Sequence, residues 1–202
     1  MKETEITVEV LEPKQSLTDK LTSYGFIQNC EFTMLDRYYS PKSIQQLTGR
    51  SFESVIRNSF LLRTIIKKQE NDDEEVNILI YKDKLFNEKG DVIAEEKVQT
   101  YIDNAEKHAE IFQKAGFIPY ATIKSSNLVY TKGDIEFVVQ DVDGVGLFIE
   151  FEEYESISHL SPEEKIETLK NTLLQFDLSL GTNFSCKKLE LYLKQINQKQ
   201  SK

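Results

Sequence analysis

The sequence is poor in the residues that build special sites. Its 202 residues include two cysteines, two histidines, four prolines and eight glycines. Cys30 and Cys186 form neither a disulfide framework nor a zinc-ligand spacing, so a reducing compartment is the default reading. His108 and His159 are isolated, and His108-Ala109-Glu110 is not a zincin motif, so each reads as a helix-surface or loop residue. There is no glycine-rich phosphate loop, no Pro- or Ser-rich linker and no low-complexity block. Apolar runs such as Leu147 to Ile149 fall far short of the roughly 20 residues that a membrane helix needs. The opening Met-Lys-Glu-Thr-Glu lacks the basic and apolar regions of a secretory signal. The expectation is one cytoplasmic domain spanning residues 1–202.

Bases are also in deficit. Against 34 acids there are 25 lysines and arginines, for a net charge of -9. Such a balance opposes nonspecific attraction to nucleic acid or to an anionic membrane, so neither is expected as a partner. A polyanionic ligand would require the acids to be either a solvated surface or sites for cations that accompany it. With 39% hydrophobic and 29% charged residues and a mean hydropathy of -0.45, the chain is expected to fold around a core of its own.

What is abundant is alternation. From Glu3 to Val10 the residues Glu3, Glu5, Thr7 and Glu9 share one face and Thr4, Ile6, Val8 and Val10 the other, the period of a strand. Similar segments follow at Phe60 to Lys67, Val76 to Lys82, Val92 to Ile102, Ile123 to Tyr130, Ile135 to Gln140 and Leu147 to Glu152. Asn87 to Gly90, Lys132 to Asp134 and Asp143 to Gly146 read as hairpin turns, and the charged run Glu70 to Glu75 as a solvated loop.

Helices interrupt the strands. Ser16 is the expected cap of a first helix that ends at Gly25, and Asp103 of a second that ends at Gly116. Ser161-Pro162-Glu163-Glu164 is a capping box with proline at the first helical position, opening a third helix that carries Ile166, Leu169, Leu173 and Phe176. A fourth is expected over Cys186 to Ile196. Strand, helix, Gly-Phe-Ile, strand occurs at Glu3 to Tyr39 and again at Glu95 to Tyr130, which points to two copies of one unit. Two unrelated helix stops of the same common type would give the same letters.

The polar strand positions carry both signs of charge: Glu3 and Glu5, Arg63 and Lys67, Lys82, Lys124, and Glu150 with Glu152. In a covered sheet they would face solvent. In a barrel with inward polar faces they would converge on one aqueous tunnel. Composition alone allows either.

Several segments resemble the CYTH superfamily of triphosphate tunnel enzymes, which includes class IV adenylyl cyclases, thiamine triphosphatases and inorganic triphosphatases. Glu3-Thr4-Glu5 resembles the start of the ExExK signature. In family order follow Asp36-Arg37-Tyr38-Tyr39, Leu62-Arg63, Tyr81-Lys82, Ile123-Lys124 and the long segment Asp141 to Glu152, with Leu189-Glu190-Leu191-Tyr192 as an echo of the closing motif. The resemblance implies an α+β fold, an eight-stranded antiparallel closed β-barrel tunnel with flanking helices. It implies Mg²⁺ or Mn²⁺ held by Glu3, Glu5, Asp141, Glu150 and Glu152, and a triphosphate such as ATP, thiamine triphosphate or tripolyphosphate gripped by Arg63, Lys67, Lys82, Lys124 and Arg57. Glu3, Glu5, Arg63, Lys82 and Lys124 become the candidate catalytic set, with Glu96 a further inward candidate and Tyr38 a contact for an organic leaving group. The chemistry would be triphosphate hydrolysis or conversion of ATP to cyclic AMP and pyrophosphate, and the alternative is a noncatalytic phosphate- or nucleotide-binding tunnel. A homodimer is the arrangement common among cyclases of this family.

The chain departs from the family pattern in its bases. Thr7, Ile65 and Ser126 stand where cations are expected, and Ala94 stands for an arginine that Lys97 or Lys67 could replace. Each charged hydrogen bond to phosphate can contribute on the order of 1.5 to 3 kcal/mol. A tunnel poor in fixed positive charge, with steep metal dependence, is therefore expected. Lys42 to Asn58 is long for a hairpin, reads as an insertion helix, and carries Arg50 and Arg57 as candidate covers of a tunnel mouth.

Overall fold

The computed structural model describes residues 2–41, 52–69 and 72–200, with the side chains of 2, 3, 52, 53 and 197–200 outside that description. Its strands are β1 (Lys2–Glu3), β2 (Glu5–Glu9), β3 (Ile27–Ser40), β4 (Asn58–Lys67), β5 (Glu74–Phe86), β6 (Val92–Ile102), β7 (Ile118–Lys132), β8 (Ile135–Val142) and β9 (Gly146–Glu152). Its helices are α1 (Lys14–Ser23), α2 (Phe52–Ile56), α3 (Ala105–Lys114), α4 (Pro162–Leu173) and α5 (Lys188–Gln200). Arg50 lies outside the described residues, and α2 occupies part of the expected insertion.

All strand pairs are antiparallel, in the order β1-β6-β5-β4-β3-β7-β8-β9-β2. β1 and β2 are two halves of a single strand broken at Thr4, and they pair with opposite ends of the sheet. That one strand joins the ends and closes an eight-stranded barrel. The break is satisfied locally: the Thr4 amide donates to Glu153 Oε2 at 3.1 Å, and the Glu153 amide donates back to the Thr4 carbonyl at 2.9 Å.

The repeat is present in the topology. Exchanging β2 with β6, α1 with α3, β3 with β7, β4 with β8 and β5 with β9 maps the sheet order onto itself. α1 and α3 end in the same Schellman geometry, with Phe26 N–H bonded to Leu21 C=O and Phe117 N–H to Phe112 C=O. Gly25 and Gly116 take φ of 83° and 87° there, a region open to glycine. Even the ladder slips correspond. The β3 and β7 register skips Asn29 on one strand and Tyr120 on the other, the same 91-residue separation (25 to 116, 29 to 120).

Two expected caps differ. α1 begins at Lys14 after Pro13, so Ser16 lies inside it and donates to Glu12 instead. α3 is capped by Asn104, one residue past Asp103, whose side chain accepts from the Lys107 amide. The Ser161 and Glu164 capping box forms as expected.

Packing follows strand parity. Outward Ile6, Val8, Phe137, Val139, Ile149 and Phe151 meet Leu17 and Leu21 of α1 and Leu169 and Leu173 of α4 in the main core. α3 covers the other outer wall, with Phe112 against Tyr39 and Phe60. The barrel interior is itself divided. Leu61, Ile80, Ile123 and Phe148 fill one end and pack against Leu189 and Leu193 of α5, which leaves the charged inward residues to line the rest.

A charged tunnel as the candidate functional site

Cross-strand pairs share a face, so the ladder fixes which side chains meet inside. Asp36 pairs with Arg63 across β3 and β4, Lys82 with Lys97 across β5 and β6, Lys84 with Glu95 in the same hairpin, and Glu5 with Glu152 across β2 and β9. All of these except Glu95, together with Glu150, stand around a narrow chamber of about 80 Å³ whose wall includes Thr7, Tyr38 and Ser59. Arg63, Glu150 and Glu152 also border a wider chamber of about 340 Å³ with Phe32, Met34, Ile65 and Tyr154 on its wall.

Arg63, Lys82 and Lys84 each have a close carboxylate partner. Arg63 Nε and one Nη each donate to Asp36 at 2.7 Å. This fork uses two of the five guanidinium N–H groups and aims the rest. Burial would lower the Arg63 pKa, but the adjacent Asp36 carboxylate raises it above its ordinary value. Glu95, only 3% exposed, faces Lys82 Nζ at 2.8 Å and also bonds the Lys84 ammonium. Burial would push the Glu95 carboxyl up, yet Lys82 and Lys84 hold it down at about 2. The Lys84 pKa is lowered as well, to about 8, because burial and the Lys82 charge outweigh Glu95.

The tunnel is richer in cations than the strand sequences suggest. Residues 179–186 run along the free edge of β2, where the Thr7 amide donates to Phe184 C=O at 3.1 Å and the Cys186 amide donates to Thr7 C=O at 3.0 Å. The Ser185 hydroxyl accepts from the Val92 amide of β6. This strap delivers Lys187 and Lys188 into the wall of the chamber. Burial lowers the Lys187 pKa despite the carboxylates of Glu5, Glu95 and Glu150 nearby. Lys188 Nζ donates to Glu150 Oε2 at 2.9 Å and also bonds Gln140. Burial would raise the Glu150 carboxyl, but chiefly Lys188, with Lys82 and Arg63, holds it at about 2. Lys84, Lys97, Lys187 and Lys188 thus join Arg63 and Lys82 in the chamber wall, and the expectation of a base-poor tunnel is corrected.

Positions equivalent in the repeat carry different charge. By ladder register the counterpart of Arg63 is Gln140, that of Lys82 is Glu152, and that of Lys97 is Glu5. The bases thus lie on the neighbouring strands β4, β5 and β6 and their counterparts on β8, β9 and β2, and the two groups approach closely where Lys97 Nζ lies 4.0 Å from Glu152 Oε1. Among the described residues, Glu5, Glu150 and Glu152 bring three carboxylate oxygens within 4.8 Å of one another. An all-oxygen carboxylate set of this kind fits a hard divalent cation such as Mg²⁺ or Mn²⁺.

Of the residues singled out from the sequence, Glu5, Tyr38, Arg63, Lys82, Glu150 and Glu152 are brought together here. Glu3 sits opposite Glu95 in the ladder, and its side chain is outside the described residues. Lys124 points outward and is exposed: Ile123 and Ser125 hold the inward positions of β7, and Ser126 is outward. Asp141 is outward too, exposed and 3.8 Å from Lys14, with Gln140 inward beside it. Glu96 faces out opposite Asp83, and its neighbour Glu95 takes the inward place. Lys67 lies at the exposed end of β4, 3.9 Å from Glu74, and Arg57 is exposed over the Phe86 ring. None of these five lines the narrow chamber. Sequence reasoning missed Asp36, Lys84, Glu95, Lys187 and Lys188. Asp36 and Lys84 carry the parity signal of Arg63 and Lys82, whereas the strap lysines carry none.

A closed antiparallel barrel with a charged interior, built from two topologically equivalent halves, is the triphosphate tunnel fold. The chain shares this fold with solved proteins named as putative adenylate cyclases. No family model matches it. A Methanocaldococcus jannaschii protein named "Putative adenylate cyclase" is 38% identical over 71 residues, so the match spans 35% of this chain and 39% of that relative's length. PH1819 of Pyrococcus horikoshii has the same fold, with a TM-score of 0.68 at 20% identity over 96% of this chain and 99% of that one. HpAC1 of Hippeastrum, similarly named as an adenylyl cyclase and described by a dominant triphosphatase activity, gives a TM-score of 0.61 at 15% identity over 96% of each chain. No helix among the described residues is long and apolar enough to cross a membrane.

Proposed function

We propose that the tunnel binds a triphosphate compound and cleaves one of its phosphorus-oxygen bonds with the help of a divalent cation. One observation carries this reading: bases and acids form adjoining walls of a single chamber, with Lys82 and Lys97 on one and Glu5 and Glu152 on the next. A pure anion-binding site has little use for converging carboxylates, and a pure metal site has little use for six cations. A phosphate chain with a bound metal needs both.

Arg63, oriented by Asp36, offers its remaining N–H groups to phosphate oxygens, and Lys82, Lys84 and Lys97 supply point charges along the chain. These fixed groups stabilise charge that develops on the bridging oxygen as its bond to phosphorus breaks. Mg²⁺ or Mn²⁺ held by Glu5, Glu150 and Glu152 would supply Lewis-acid chemistry and neutralise phosphate charge. The wider chamber has room for an organic remainder, with Phe32, Met34 and Tyr154 as its apolar contacts. Hydrolysis is the leading reaction, supported by the activity of HpAC1 on the same fold. Cyclisation of ATP is the second, favoured by the name of the archaeal relative.

The test is a panel of tripolyphosphate, ATP and thiamine triphosphate with Mg²⁺ or Mn²⁺, scored for orthophosphate, pyrophosphate and cyclic AMP. Metal-dependent orthophosphate release supports the hydrolase, and equal amounts of cyclic AMP and pyrophosphate from ATP support the cyclase. Thermal stabilisation by these ligands without turnover would overturn the enzyme reading in favour of a binding protein.

A further inference from the structure

We propose that Lys188 is a tethered counterion of the acid cluster, which leaves Glu150 when a divalent cation arrives and then binds the triphosphate. This rests on the metal-holding role proposed above for Glu5, Glu150 and Glu152. The ammonium of Lys188 already sits where a cation would: 2.9 Å from Glu150 Oε2, an oxygen that also accepts from Gln140 Nε2 at 3.1 Å. Two donors occupy that oxygen's two lone-pair directions. The same carboxylate has an oxygen within 4.8 Å of those of Glu5 and Glu152. An ammonium and a divalent ion therefore compete for one ligand.

The exchange is mechanically simple. Lys188 is the first residue of α5, and the strap that precedes it is anchored by the Thr7 and Cys186 backbone bonds. The ammonium can swing on its own four-carbon stem while the backbone stays in place. Lys188 shares the narrow chamber with Arg63, Lys82, Lys84 and Lys97, so once released it lies among the groups that grip phosphate. Lys82 and Arg63 also face Glu150, and they keep that carboxylate charged during the exchange. Metal and phosphate binding become mutually reinforcing, because the metal frees a cation for the anion and the anion draws that cation away from the metal's ligand.

Isothermal titration of Mn²⁺ and of tripolyphosphate, with Mn²⁺ bound and without it, into the full chain tests this. Lys188→Met is expected to bind Mn²⁺ about tenfold more tightly than wild type and Mn²⁺-saturated tripolyphosphate about tenfold more weakly, the size of one charged contact. Lys188→Arg should restore wild-type values for both. Equal or weaker Mn²⁺ binding by Lys188→Met, in a protein with wild-type circular dichroism, would overturn the proposal; Lys188→Gln provides the same reading should the methionine variant not fold. If wild type binds no Mn²⁺ at all, the metal reading fails along with it. If wild type binds Mn²⁺ through Glu5 and Glu152 but the lysine variants are unchanged, only the Lys188 proposal fails.

Discussion

Asp36 and Arg63 face each other across the β3 and β4 ladder and share two hydrogen bonds of 2.7 Å each. The Asp36 side chain is 6% exposed and that of Arg63 is 20% exposed. Removing one member of such a pair strands the other charge, which costs more than the pair contributes. Asp36→Asn is expected to destabilise the fold by roughly 3 kcal/mol in urea unfolding and to weaken tripolyphosphate binding, because Arg63 loses the partner that aims it. Full retention of stability would place the pair outside the packed interior.

The inward and outward positions predict opposite consequences for two lysines. Lys84→Ala should weaken tripolyphosphate binding by about tenfold or more, the scale of a lost charged contact. Lys124→Ala should leave binding unchanged, since Lys124 is exposed on the outer wall. Calorimetric titration of both variants decides whether β7 has the register described.

Lys84 also sets a pH dependence. Its pKa is lowered to about 8, so the tunnel loses a cation as pH rises through that value, and tripolyphosphate affinity should fall between pH 7 and pH 9. Stability has the opposite sign over the alkaline range. The unfolded chain keeps that proton up to about pH 10.4, binds more protons than the folded chain above pH 8, and is disfavoured as pH rises. In Lys84→Met both trends should flatten.

Acid should act through Glu95 and Glu150. Both carboxyls are held at about 2 in the fold, against about 4.3 for an ordinary glutamate. Their stabilising contribution is complete above that ordinary value and is lost as pH falls toward 2. Thermal melts from pH 6 to pH 2 should drop through this window, and Glu95→Gln should drop less steeply while starting from a lower melting temperature.

At the start of α4, Ser161→Ala removes one side of the capping box. The expected loss is about 1 kcal/mol, with tripolyphosphate affinity unchanged because Ser161 lies outside the tunnel wall. A larger loss would mean that Ser161 supports more than the helix end.

Period-2 alternation made most strands legible, and β6 runs over Val92–Ile102 as expected. It identified the acidic face of β2 because Ile6 and Val8 leave only one side apolar. It failed on β7, where Ile123 is buried inside the barrel and Leu128 and Tyr130 are buried outside it. With apolar residues on both faces, letters alone could not say whether Lys124 or Ser125 turned inward. Adjacent acids gave the same ambiguity at Glu95 and Glu96, which burial resolves. Lys187 and Lys188 were illegible for another reason: their place depends on where a strap far along the chain docks on β2, and no local period encodes a docking edge.

The strand broken at Thr4 has a bearing on how the molecule matures. Glu5 meets Glu152 only when β2 and β9, 147 residues apart (5 to 152), come together. Loop-closure entropy makes contacts of that separation slow to form. Circularisation of the sheet therefore falls late in folding, and the same event brings Glu5 to Glu150 and Glu152. A half-folded chain lacks that cluster, so the convergence of the three carboxylates is a certificate that the molecule has been completed.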